Sequence, residues 1–85
     1  MEIKIEVPEY DPTVGMKYTW ESGFEIETKV INGEIIISSN AAGLISLAKQ
    51  LLTLAQNSVP TGSHFHYDVN NSLEEGSVEL VIEKK

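Results

Sequence analysis

The stretch His64-Phe65-His66-Tyr67-Asp68 holds both histidines of the chain and the residues best suited to chemistry. In an extended strand, residues two apart share a face and lie about 6.5–7 Å apart. His64, His66 and Asp68 would then point the same way, and two imidazoles with a carboxylate suit zinc or iron. Three ligands from one flat strand make a strained set, and only carboxylates such as Glu79 or Glu27 remain to complete it. The same three residues fit hydrogen bonding to a partner, or pinning of the loop beside them. Polar residues also fall at alternate positions wherever one strand face is wet. There is no Gly-x-Ser-x-Gly elbow and no phosphate-cradling glycine loop. The expectation is no catalytic residue, no metal and no cofactor, in a protein that binds rather than catalyses.

The carboxylates are the other chemical feature. Thirteen Asp and Glu face six Lys and Arg, for a net charge of -7. Such a chain repels nucleic acid and anionic membranes and attracts basic proteins. No acid lies between Ile35 and Tyr67. Glu25, Glu27, Glu79 and Glu83 alternate with apolar residues, so they point away from whatever the apolar positions face. Asp68 joins them, and Glu74 and Glu75 stand in a polar loop. These acids form either a docking surface for a basic partner or an ordinary solvated sheet face. There is no cysteine, which excludes disulfides and thiolate metal sites. The N-terminus alternates charged and apolar residues, unlike a signal peptide, and no apolar run is long enough to span a bilayer. A cytoplasmic protein is expected.

The elements that position these groups are read from periodicity. Ile3, Ile5 and Val7 alternate with charged residues, which predicts a strand ended by Pro8. Met16, Tyr18 and Trp20, then Phe24, Ile26, Thr28 and Val30, keep one parity across Ser22-Gly23. That fits a hairpin at Gly23 or one long strand kinked there, with the second preferred. Tyr18 and Trp20 become core aromatics, or interface anchors if exposed. Asn32-Gly33 signals a type I′ hairpin. Glu34 to Ser38 returns, and its Ile35-Ile36-Ile37 run suggests a central strand covered on both faces. Asn40 is the expected N-cap of the one helix. In that helix Leu44, Leu47, Ala48, Leu51, Leu54 and Ala55 form the apolar stripe. Ser46, Lys49, Gln50, Thr53 and Gln56 fill the other side, and Pro60 lies beyond its end. Strands over His64–Val69 and Val78–Ile82 follow. The expected fold is a single α+β domain over residues 1–85. Its antiparallel sheet of four to six strands carries one helix on one face, in the order β-β-β-α-β-β. A helix face bearing only Lys49, and unpaired sheet edges, also allow a homodimer.

Several segments in order carry a family resemblance: Pro8-Glu9-Tyr10-Asp11-Pro12, Gly23-Phe24-Glu25-Ile26-Glu27, Gly43-Leu44-Ile45-Ser46-Leu47-Ala48 and Leu51-Leu52-Thr53-Leu54-Ala55-Gln56. Gly62-Ser63-His64-Phe65-His66-Tyr67-Asp68 and Leu73-Glu74-Glu75-Gly76-Ser77-Val78-Glu79-Leu80 complete the set. Over nearly the whole chain the sequence resembles the bacterial immunity protein 32 family of polymorphic toxin systems. The resemblance implies a cytoplasmic inhibitor of a cognate protein toxin, with no catalytic residues to carry over. The expected partner-binding residues are Glu25, Glu27, His64, His66, Asp68, Glu74, Glu75 and Glu79. Two alternatives remain: a metal-binding protein or enzyme built on the His-x-His-x-Asp strand, and a homodimeric structural or regulatory module.

Overall fold

In the computed structural model, which describes residues 1–85, Asn32 and Gly33 both take positive φ, 50° and 79°, and close the hairpin that their chemistry favours. They join β1 (Ile26–Ile31) to β2 (Glu34–Ser39) in an antiparallel pair. Thr28 opposes Ile37 and Val30 opposes Ile35, so these side chains share a face with buried Ile26. Only the proximal half of that face is covered. Val30, Ile35 and Ile37 project beyond the core, Ile35 with 73% of its surface exposed. The expectation of a central β2 is thus overturned, since β2 pairs with β1 alone and is an edge. Of the Ile35-Ile36-Ile37 run, Ile36 is half-buried and the other two are exposed.

Asn40 caps helix α1 (Ala41–Leu54) as expected, its Oδ1 accepting from the Gly43 amide at 2.9 Å. The same oxygen accepts from the Glu25 amide, and Nδ2 donates to the Gly23 carbonyl at 2.9 Å. One side chain therefore both starts the helix and ties it to the entry of β1. Gly43 is needed at that contact. A methyl group there would lie 2.8 Å from the Glu25 carbonyl oxygen and 2.9 Å from Ile26. At the far end the Lys84 ammonium donates to the Gln56 and Val59 carbonyls at 2.6 and 2.9 Å, where a cation suits the helix dipole.

Of the expected apolar stripe only Leu54 and Leu47 reach the core, and the helix turns Ser46, Gln50 and Thr53 inward beside them. Ser46 and Gln50 are fully buried and Thr53 nearly so, while Leu44, Leu51 and Leu52 are exposed at 55, 47 and 48%. Hydrogen bonds hold the buried polar groups. Ser46 Oγ donates to the Ala42 carbonyl and accepts from the Glu21 amide at 2.8 Å. Gln50 Nε2 donates to the Thr19 carbonyl at 3.1 Å, and its Oε1 accepts from the Tyr67 hydroxyl at 2.5 Å. Gln56 holds Pro8 and Tyr10 in the same manner. These side chains anchor the segment at Pro8, Tyr10, Thr19 and Glu21, pairing half-buried amides and carbonyls there that no strand satisfies. That segment forms no sheet ladder, so neither the predicted strand over residues 2–7 nor the one over 16–20 exists. The chain does break at Gly23 (φ 78°), with a turn from Glu21 to Phe24, and β1 begins only after it.

Strands β3 (His64–Tyr67) and β4 (Leu80–Glu83) form a second antiparallel pair, Phe65 opposite Ile82 and Tyr67 opposite Leu80. The fold is α+β with one helix, but the single sheet of four to six strands is corrected to two sheets of two strands. Residues 74–78 lie between them along β1. The Glu74 amide donates to the Ile26 carbonyl, the Val78 amide to the Thr28 carbonyl, and the Thr28 amide to Ser77 Oγ. The Thr28 hydroxyl also donates to the Val78 carbonyl. Two residues of β1 are thus spanned by four of the facing segment. The extra pair is taken up in a turn at Gly76 (φ 84°), so no regular ladder can form.

Ile26, Leu54, Val59, Phe65, Tyr67 and Leu73 form the buried cluster, with Trp20, Phe24 and Leu47 packed against it. Trp20 stacks on Phe24 at 4.3 Å, and Tyr18 meets Phe65 edge-on at 4.9 Å. Tyr18 is partly exposed, but its hydroxyl both donates to the His66 carbonyl and accepts from the His66 amide, at 2.9 and 3.0 Å. Burial first, and the nearby Tyr18 second, push the Tyr67 phenol well above its ordinary range. No helix is long and apolar enough to cross a membrane.

Candidate functional site

Ile26 and Thr28 point into the core, so by strand alternation Glu27 and Lys29 point out of it. Phe65 and Tyr67 likewise point in, which turns His64 and His66 outward. Both hairpins contribute to one buried cluster, so each turns its other face away from it.

An open groove of about 330 Å³ lies where β1 begins and β2 ends. Glu25, Glu27 and Glu74 line it together with Ile26, Ser38, Ser39 and Asn40. No basic side chain is in the lining. Glu27 is paired with exposed Lys29 at 2.8 Å, and Glu25 and Glu74 have no such partner. Glu25 is placed by the Asn40 side chain, which accepts from its amide, and Glu74 by its own amide bond to Ile26. Both carboxylates therefore stand on backbone fixed at short range. Glu75 follows Glu74 in the exposed turn before Gly76.

On the β3–β4 pair and its flanking loops, His66, Asp68 and Glu79 bring one ligand-type atom each to within 4.8 Å of one another. His66 Nε2 lies 3.8 Å from Glu79 Oε1. Asp68 also folds its own loop. Its Oδ1 accepts from the Asn70 and Asn71 amides, and its main-chain oxygen from the Leu73 amide. One imidazole and two carboxylates can accept donors from a partner, or share a divalent cation through the Asp68 oxygen left over. The second imidazole is not among them. His64 lies beside Tyr10, Met16 and Gly62, with Nδ1 3.4 Å from the Gly62 carbonyl oxygen. The triad of His64, His66 and Asp68 that strand spacing suggests is not assembled.

Two stretches that stand out in the sequence thus have structural work to do. Leu73-Glu74-Glu75-Gly76-Ser77 joins the two hairpins, and Asp68 closes a loop. The Tyr18 hydroxyl and the Thr28–Ser77 contact have no signature of their own in the sequence. The shared parity of Tyr18 and Trp20 gave only the side on which they fall. Lys29, the one base among the outward carboxylates of β1, could have been read from its alternation with Thr28 and Val30.

A family model described as Immunity protein 32 matches residues 34–85, more than half of the chain. The span takes in β2, α1, β3 and β4, and with them His64, His66, Asp68, Glu74, Glu75 and Glu79. Glu25 and Glu27 lie before it, so the match is shorter than the resemblance noted from the sequence. No curated protein and no solved structure matches the chain.

Proposed function

Because the chain belongs to the immunity protein 32 family, we propose that it neutralises a cognate protein toxin in the cytoplasm by binding it, with no chemistry of its own. The toxin domain is basic, and it docks on the carboxylate-bearing outer side of the hairpins. The observation that carries this reading is the groove in which Glu25, Glu27 and Glu74 converge with no base in its lining. A net charge of -7 steers a basic partner toward the molecule, and a few desolvated contacts then hold it. His66, Asp68 and Glu79 extend the surface as hydrogen-bond acceptors, and Glu75 adds to the field. His64 stands at its margin. Carboxylates presented in this way occupy the place of phosphates in a basic active site.

The test is the association rate with the toxin domain encoded beside this gene, measured across a salt series. The double charge reversal Glu25→Lys with Glu27→Lys slows association about tenfold or more at low salt and flattens the salt dependence. Unchanged kinetics in that variant would remove the groove as the docking surface.

A further inference from the structure

The outward side of α1 repeats every seven residues. Ala41, Ala48 and Ala55 occupy one position, Leu44 and Leu51 another, and Ile45 and Leu52 a third. These seven residues lie on one side of the helix, opposite buried Gly43, Ser46, Gln50, Thr53 and Leu54. None of the seven is polar. A seven-residue apolar repeat is the spacing at which one helix packs along another, and alanine at every seventh position lets two backbones approach closely. Here Ala41, Leu44, Leu51, Leu52 and Ala55 are exposed and Ile45 and Ala48 half-buried, because the opposite side of the helix is the one used inside the fold.

We propose that this face docks a second copy of the chain, helix against helix, in a symmetric dimer. A complementary seam requires a second helix, and the chain has only one, so none within the molecule can fill it. Charge decides which face a second copy can use. A second copy brings another -7, so its approach is opposed wherever carboxylates meet. Helix α1 has no carboxylate, and its only charge, Lys49, is held to the side by Glu21 at 2.8 Å. A two-fold contact there buries leucine against leucine and alanine against alanine with no like charges opposed. None of the seven seam residues lines the groove of the proposed function, so pairing and toxin binding use different residues. The seam is two repeats long, fewer than the roughly three to four of a free-standing coiled coil, so the dimer is reversible.

Sedimentation equilibrium of the full chain over a concentration series tests this. The expected result is a monomer–dimer equilibrium in the wild type and loss of the dimer in Leu51→Glu. Leu44→Glu does the same. Both sites are exposed, so the far-UV spectrum stays that of the wild type, and so does the melting temperature at concentrations where the wild type is monomeric. The Glu25→Lys, Glu27→Lys variant keeps the dimer, which separates this surface from the groove. A wild type that stays monomeric up to about 1 mM, where even weak specific pairing registers, would overturn the proposal. So would a dimer untouched by both leucine variants. A monomeric chain whose capture of the toxin domain is lost in Leu51→Glu would assign the face to the toxin, against both the pairing and the groove.

Discussion

On the side where the hairpins turn outward, Glu25, Glu74 and Glu79 stand in solvent; on the side where α1 turns outward, Leu44, Leu51 and Leu52 do. The first surface is charged and cut by a groove, and the second is apolar and free of acids. The difference begins in the sequence, where every carboxylate lies before Ile35 or after Tyr67. It is completed by the fold, which spends the polar side of the helix on holding the N-terminal segment. Part of what looks like a core stripe is left outside, while Ser46 and Gln50 sit inside with Leu47 and Leu54 and are held there by hydrogen bonds. Burying Ser46 and Gln50 is tolerable only because each of their polar groups found a partner inside.

That contrast can be broken most directly from the inside. Gln50→Ala leaves the Tyr67 hydroxyl and the Thr19 carbonyl without their partner. At about 1–3 kcal/mol for each such group, urea unfolding is expected to show a loss of roughly 2–4 kcal/mol. An ordinary surface effect, below about 0.5 kcal/mol, would mean that Gln50 is not held inside by these bonds.

A change of pH sharpens the same point. The Tyr67 phenol has its folded-state value raised, so its contribution to stability is whole below its unfolded value of about 10. The contribution falls away above that, as the unfolded chain ionises while the buried phenol stays protonated. Stability measured from pH 8 to 11 should therefore decline at the alkaline end. In Tyr67→Phe the curve starts lower, because Gln50 loses its donor, but declines less steeply. Parallel curves for the two proteins would count against a buried phenol.

The smallest effect belongs to the outer side of the helix. Leu52→Gln, on the exposed seam, should change the stability of the monomer by no more than about 0.5 kcal/mol. A loss comparable with that of Gln50→Ala would show that the two sides of the helix had been assigned the wrong way round.

Local chemistry made much of this legible. Asn40 caps the helix, Asn32-Gly33 turns the hairpin, and β3 and β4 fall where alternation puts them. The N-terminal third was misread for a physical reason. Alternation reports which way side chains point, whereas a strand also needs a neighbour for its backbone. Near Pro8, Thr19 and Glu21 that neighbour is the side chain of Gln56, Gln50 or Ser46. The outward direction of Glu27 and His66 followed from parity, and the meeting of Glu25 with Glu74 did not. That meeting depends on the two-against-four mismatch at Gly76, a long-range match with no local signature.

The double hydrogen bond between Tyr18 and His66 sets a clock on the rim of β3. The amide proton of His66 is shielded by a phenol rather than by another strand, so one side-chain rotation lays it open to solvent while the strand stays intact. In heavy water this proton should exchange through small local openings, whereas those of Phe65 and Tyr67 wait for β4 to separate. Removing a single oxygen, by Tyr18→Phe, would speed the exchange of that one position and leave the slowest amides at their former pace.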